Sequence, residues 1–220
     1  GGQRCGVHWG GDAEVSDAGM SGSLRGGLSL GLSGFSFWSH DMGGFSGVPS
    51  EELYLRWAFF GLLSSHSRSH GFPPREPWHF SSEFLSQFRK LCELRYTLLP
   101  YIYTQAYISS ENGWPLMRAL ILEFPNDPAA AMIDNQYLLG DALMIAPLME
   151  TETTGRNVYL PEGNWIDYQS KKVFKGQRNH YMKASTLPGI LLVRSGSLIP
   201  TAEIAQHTGA INWQKIQFKK

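Results

Sequence analysis

Apolar residues recur at two different spacings along this chain, and the spacing changes near Gly113. Before that point the pattern is helical. Met20, Leu24, Leu28 and Leu32 stand four apart and predict a helix over 17–32. Its glycines cost about 1 kcal/mol each relative to alanine, so they are tolerable where helix and sheet pack closely. A second helix is predicted over 51–63, with Ser50 as its cap and Glu51 and Glu52 in the first turn. The longest is expected over 81–111, carrying Phe84, Phe88, Leu91, Leu94, Leu98, Ile102 and Ala106 on one stripe, capped by Ser81 or Ser82 and kinked at Pro100. Short apolar runs interleave with these helices and predict strands near 5–8, 34–38 and 64–67, an alternation that βαβ units require. Beyond Gly113, residues 116–124, 143–146, 158–160, 165–168, 180–183, 190–193 and 198–199 form short runs between Gly, Pro, Asn and Asp turns. That half reads as an all-β module, with a boundary near 112–115.

Two of the early runs end alike. His8-Trp9-Gly10-Gly11-Asp12 and Phe37-Trp38-Ser39-His40-Asp41-Met42-Gly43-Gly44-Phe45 each pass from aromatics to one acid beside glycines. A buried strand delivers a carboxylate to a pocket in this way, while glycines let the turn bend and a ligand approach closely. Either aspartate alone is equally a turn former, because its side chain can cap its own backbone. The pairing, on either side of a predicted helix, favours pocket residues at the strand ends of an α/β barrel.

A carboxylate walled by tryptophans suits glycoside chemistry. Aromatic faces stack on sugar rings, and an acid kept partly protonated can donate to the leaving oxygen. Glycosidases use two carboxyls, roughly 5–5.5 Å apart for retention or roughly 6.5–9.5 Å for inversion, and Asp12 with Asp41 is the candidate pair. A rival reading makes His8, His40, His66 and His70 metal ligands together with these acids, since His66 and His70 have the spacing of one helical turn. Against it, Pro73-Pro74 follows closely, Arg68 lies between the two histidines and the expected glutamate is missing. Histidines that hydrogen-bond substrate hydroxyls are preferred, with a core or solvated role open for His66. No phosphate loop and no G-x-S-x-G elbow occurs.

Bulk properties narrow the partners. The 19 basic and 19 acidic residues cancel without a basic run, so neither nucleic acid nor an anionic membrane is expected. No apolar run reaches the roughly 18 residues of a membrane span, and no signal segment opens the chain, which favours a cytoplasmic location. Cys5 and Cys92 allow one bridge without indicating it. Charged residues at 17% and aromatics at 13% fit a compact domain with an aromatic-lined cleft. Strand-like residues follow Gly1 almost at once, and a barrel strand needs partners on both edges, so an N-terminal part is expected to be missing.

Taken together the motifs resemble glycoside hydrolase family 31. They are Val7-His8-Trp9-Gly10-Gly11-Asp12, Ser23-Leu24-Arg25-Gly26-Gly27-Leu28-Ser29, Gly34 through Phe45, and Ser64-Ser65-His66-Ser67-Arg68-Ser69-His70-Gly71. Arg95 through Tyr103 and Leu139 through Pro147 match the same family, in the family's order. The resemblance is to the α-xylosidase branch, with α-glucosidases next. It implies an α/β fold: the C-terminal half of a (β/α)8 TIM barrel over 1–113, then an all-β sandwich domain over 114–200, with 201–220 a truncated connection.

The implied chemistry is retaining hydrolysis of terminal α-xylosyl residues from oligosaccharides. α-Glucosidase activity, or a non-catalytic sugar-binding module, are the alternatives. By motif match Asp12 is the general acid/base, and Trp9, Trp38, Asp41, Phe45 and His70 are substrate-binding. No cofactor and no metal is implied, and the full-length enzyme is expected as a possible homo-oligomer. The family's nucleophile motif has no match in this chain, which recasts Asp41 as a binding acid. It also implies that these residues are expected to be inactive alone. Two departures, Ala13 through Asp17 with Gly22, and the glucosidase-like Pro73 through Trp78, leave xylose against glucose open.

Overall fold

The computed structural model describes residues 2–66 and 68–219. Its first half is built on short parallel strands and four helices. Strands β1 (His8–Trp9) and β2 (Trp38–Ser39) pair parallel, His8 opposite Trp38. Both are shorter and lie later than the runs 5–8 and 34–38 predict.

Between them runs α1 (Asp17–Leu32), capped by Ser16, whose hydroxyl accepts from the Gly19 amide at 3.0 Å. Met20, Leu24 and Leu28 are buried as the stripe requires, but Leu32 is half-exposed, and there Gly31 takes the contact by lying against Pro115. Gly27 explains the glycine run most directly: a Cβ there would fall 1.7 Å from the Trp38 ring. Helix α2 (Glu51–Leu62) starts at Ser50, whose hydroxyl accepts from the Leu53 amide, and is buried on every face from Leu53 to Leu62.

The long helix expected over 81–111 is two helices, α3 (Ser82–Thr97) and α4 (Leu99–Asn112). The break falls at Leu98, which puts Pro100 in the first turn of α4, where its missing amide hydrogen costs nothing. Gly113 at φ 74° ends α4 in the left-handed conformation.

The strand expected over 64–67 is not formed among its described residues, and Ser67 lies outside them. Ser65 uses its side chain in place of a ladder: the Trp38 amide donates to its hydroxyl at 3.0 Å, and the hydroxyl donates to the Trp38 carbonyl. The main chain nevertheless runs parallel to its neighbour, with bridges from Asp41 to Arg68 and from Ser46 to Phe72. The run 116–124 also differs, giving β3 (Met117–Arg118) and a helical turn α5 (Leu120–Glu123), where Arg118 binds the Pro115 carbonyl at 3.0 Å and pairs with Glu123.

Beyond α5 the strands pair antiparallel. In sequence order they are β4 (Tyr137–Leu139), β5 (Leu143–Pro147), β6 (Gly155–Leu160), β7 (Asn164–Asp167), β8 (Val173–Lys175), β9 (Arg178–Lys183) and β10 (Gly189–Arg194). A six-stranded sheet has the order β3-β4-β5-β10-β7-β8, while β6 and β9 form a separate ribbon. Alternate side chains sort to two cores. Tyr137, Leu139, Leu143, Ile145, Leu191 and Val193 join the cluster of the helices. Leu138, Met144, Ala146, Ile190 and Leu192 join a second cluster with Val158, Leu160 and Met182 of the ribbon. Residues 201–220, expected as a plain connection, carry β12 (Gln217–Lys219), which pairs antiparallel with β11 (Ile199–Thr201). Cys5 and Cys92 are both free thiols.

The two halves are bolted together by polar contacts as well. Arg56, 2% exposed, donates from Nη2 to Asp17 at 2.6 Å and from Nη1 to the Leu148 carbonyl at 3.2 Å. Thr151 donates to the other Asp17 oxygen from its amide at 2.7 Å and its hydroxyl at 2.8 Å. Burial would raise the Asp17 carboxyl, but hydrogen bonds from Arg56 and Thr151 and the Arg56 charge outweigh it and hold its pKa below the ordinary value. A group lowered on folding contributes stability that is fully present above its unfolded pKa, about 4, and is lost as pH falls through the folded value. Asp17→Asn is therefore expected to lower Tm at neutral pH, with the gap to the unmodified protein closing below about pH 4. Thermal unfolding across that range checks it, and a gap that stayed constant would contradict it.

Candidate active site

Three chain segments run side by side and end at one place. The Gly10 amide donates to the Ser39 carbonyl at 2.9 Å, the Phe45 amide to the Ala13 carbonyl at 2.8 Å, and the Phe72 amide to the Phe45 carbonyl at 2.7 Å. A further bridge joins Glu14 to Ser46. Parallel pairing brings the segments that follow β1, β2 and residues 64–66 to a common end, which is where Asp12, Asp41, Phe45 and His70 lie. Gly44 makes the turn possible: its φ is +81°, and a Cβ there would lie 2.8 Å from the Glu14 carbonyl oxygen.

The predicted residues separate into an exposed acid and a buried one. Asp12 is exposed, and among the described residues no hydrogen bond or ion pair holds its carboxylate. Asp41 is completely buried. Its Oδ1 accepts from Arg68 Nε at 2.6 Å and from Trp9 Nε1 at 3.2 Å, and the Arg68 guanidinium lies 5.1 Å from the Trp9 ring centroid. Trp9 is thereby fixed edge-on by Asp41 and covered on one face by Arg68, while remaining 47% exposed. Asp41 Oδ2 is buried with no partner among the described residues. Half-buried Phe45 and exposed His70 meet at 5.6 Å between ring centroids.

Trp38 departs from its expected place. It is 2% exposed, roofed by Gly27 and tilted against His40 at 4.9 Å, so it supports the Asp41 loop from behind. His40 is likewise interior, stacked on Phe60 at 4.3 Å, and burial pushes its imidazole down to about 3. Neither ring nitrogen has a partner among the described residues. Among those residues no group of three or more His, Cys, Asp or Glu side chains is placed to hold a metal.

Two arginines carry the site and were not singled out by the sequence. Arg68 lies inside the Ser64 through Gly71 motif, among serines that carry no sign of a buried partner. Arg75, 2% exposed among prolines, donates from Nη2 to the Gly44 carbonyl at 2.9 Å and the Phe45 carbonyl at 3.0 Å. Burial lowers its pKa, opposed by the charges of Tyr54 and Asp41. Tyr54 completes the brace, donating to the Arg75 carbonyl at 2.8 Å.

Comparison with known proteins bears on the same residues. Residues 1–105 match the glycosyl hydrolases family 31 TIM-barrel domain, and residues 113–199 match the glycosyl hydrolase family 31 C-terminal domain. An α-xylosidase of Emericella nidulans is 41% identical over 91% of this chain and 27% of its own length. Alpha-glucosidase 2 of Bacillus thermoamyloliquefaciens is 35% identical over 94% of this chain and 27% of its own. The chain therefore spans about a quarter of the length of these curated relatives. Among solved structures, the GH31 dextranase of Flavobacterium johnsoniae, complexed with glucose, superposes with a TM-score of 0.87 at 33% identity over 96% of this chain and 28% of that one. With both halves matched to the same family in order, and parallel strand ends gathering Trp9, Asp12 and Asp41, this chain belongs to glycoside hydrolase family 31.

Proposed function

We propose that this chain forms part of a retaining α-glycoside hydrolase that removes terminal α-xylosyl residues from oligosaccharides. The observation that carries the reading is the exposed Asp12 carboxylate, unpaired among the described residues, on the segment that follows Trp9, whose ring Asp41 and Arg68 hold in place. In this reading Asp12 protonates the leaving oxygen and then draws a proton from water, the two halves of one general acid/base role. Trp9 offers its open face to the sugar ring. Asp41 holds Trp9 and Arg68 in place against the sugar from behind, and Phe45 and His70 close the wall. The nucleophilic carboxylate comes from outside these residues, because no position here matches the family's nucleophile motif.

The same proposal divides the chain into part of a (β/α)8 barrel over 1–113, a β-sandwich over 114–200 and a connection over 201–220. The end of α4 at Asn112 and the two buried faces of the six-stranded sheet support that division. Xylose is preferred over glucose because the α-xylosidase relative is 41% identical and the α-glucosidase 35%. The glucosidase reading remains the second one, favoured by the Pro73 through Trp78 loop.

The test compares p-nitrophenyl α-xyloside with p-nitrophenyl α-glucoside. The active enzyme containing this chain is expected to prefer the xyloside and to release the α-anomer first, as seen by proton NMR. Residues 1–220 alone are expected to release no p-nitrophenol from either. Turnover by the chain alone would refute the external nucleophile, and a preference for the glucoside would exchange the two readings of the sugar.

A further inference from the structure

Asp12 makes no hydrogen bond of its own among the described residues, yet the segment that follows it is held at Ala13, Glu14 and Ser16 on the way to α1. The Ala13 carbonyl accepts from Phe45, and the Ser16 amide donates to the Glu14 carbonyl at 3.0 Å. Gly19 passes so close beneath that a Cβ would fall 2.0 Å from the Glu14 oxygen. Five residues past Asp12 the series ends at Asp17, both of whose carboxylate oxygens are taken: one by Arg56, the other by the amide and hydroxyl of Thr151. Of those partners Thr151 is not on the barrel side. It lies in the loop between β5 and β6.

That loop shows a second, independent sign of being held for a purpose. Glu152 adopts φ 61°, a left-handed conformation unfavourable for a residue with a side chain. Such a residue persists where its surroundings over-determine it, and here the Glu152 amide is fastened to Glu52 Oε1 of α2 at 2.7 Å. The strained turn presents the Thr151 amide and hydroxyl together to one oxygen of Asp17.

We infer that Thr151 is a positioning residue for Asp12, through which the β-rich half fixes the placement of the acid on the barrel side. The inference rests on the acid/base reading of Asp12 given above. Asp12 and Asp17 share one short stretch of backbone, held between them at Ala13, Glu14 and Ser16, so a displacement at Asp17 shifts the chain that carries Asp12, and proton donation is sensitive to such displacement: a misplacement of about 1 Å can cost about a hundredfold in rate.

The test uses the active enzyme that contains this chain, with Thr151→Val, Thr151→Ser and Asp12→Ala. Valine keeps the shape and the backbone donor and removes the hydroxyl, whereas serine restores it. Each variant is assayed on an unactivated α-xylosyl disaccharide, whose leaving group needs a proton, and on an α-xylosyl fluoride, whose leaving group departs without one. The ratio of the two kcat/KM values is the readout. The fluoride reports how much enzyme is folded and active, so loss of folded protein leaves the ratio unchanged.

Thr151→Val is expected to lower that ratio by about tenfold, in the direction of Asp12→Ala, and Thr151→Ser to return it to within about twofold of the unmodified enzyme. An unchanged ratio in Thr151→Val beside a lowered one in Asp12→Ala would overturn the inference alone. If Asp12→Ala itself left the ratio unchanged, the acid/base reading would fall and take the inference with it.

Discussion

Asp12→Ala, in the active enzyme, is expected to cut kcat/KM about 10²–10⁴-fold on substrates with poor leaving groups and to spare activated ones. Without the carboxyl, a sugar or alkyl leaving group must depart as an unprotonated alkoxide, while fluoride needs no such help. Azide should then restore turnover on the activated substrate. It enters the space the carboxylate vacated and attacks the glycosyl-enzyme without requiring a general base, so the product is an α-glycosyl azide. In this chain Asp12 is exposed and unpaired among the described residues, which fits a space that azide can enter. Asp41→Ala should behave differently. It removes the partner of Arg68 and Trp9 together with a buried acceptor, so every substrate should suffer alike, by about ten- to a hundredfold for one lost charge-assisted bond of about 1.5–3 kcal/mol. Azide should do nothing for it. Rescue of Asp41→Ala with no effect on Asp12→Ala would exchange the two roles.

Adjacent glycines in α1 should respond to alanine with opposite signs. Gly26 is exposed with no atom within 4 Å of a built Cβ, so Gly26→Ala should gain up to about 1 kcal/mol of helix propensity. Gly27→Ala gains the same propensity but drives its methyl to within 1.7 Å of the Trp38 ring, far inside the roughly 3.5–4.0 Å of an ordinary carbon contact. His40 and Phe60 pack against Trp38 and oppose its retreat. Overpacking of this kind costs about 1–3 kcal/mol and sometimes more, so a net loss of about 2 kcal/mol is expected. In Tm that is a rise of about 2–4 °C for Gly26→Ala and a fall of about 4–8 °C for Gly27→Ala, read by thermal unfolding. Equal shifts in the two variants would mean that α1 and the Trp38 ring are not in close contact.

The same pair shows what the sequence makes legible. A four-residue stripe and a serine cap suffice to place α1, because both signals are local, and the glycines announce close packing without saying against what. That the partner is Trp38 is a long-range fact, and it explains why Trp38 looks like a pocket wall in the sequence and is core in the structure. The strand over 64–67 fails for a comparable reason: Ser65 substitutes its hydroxyl for backbone pairing, and no periodicity reports that. Asp12 and Asp41 are legible because glycines and aromatics mark their loops. Arg68 and Arg75 are not, since an arginine among serines or prolines reads as solvated until its buried partners are seen. The strands β4 and β8 are three residues each, too short for alternation to separate them from a turn.

One face of the six-stranded sheet belongs to the same cluster as α1, α2 and α3, so a single continuous interior runs from Met20 to Ile199. The change of periodicity near Gly113 is thus a boundary of architecture and not of cohesion. Tyr137 makes this concrete, since its ring sits in the helical core and its hydroxyl donates to the Leu63 carbonyl at 2.7 Å, across the boundary. For anyone grafting sugar specificity from one relative to another, the inheritable unit is both halves together. A β-rich half taken from a foreign enzyme would arrive with the wrong relief on the surface that α2 must fit.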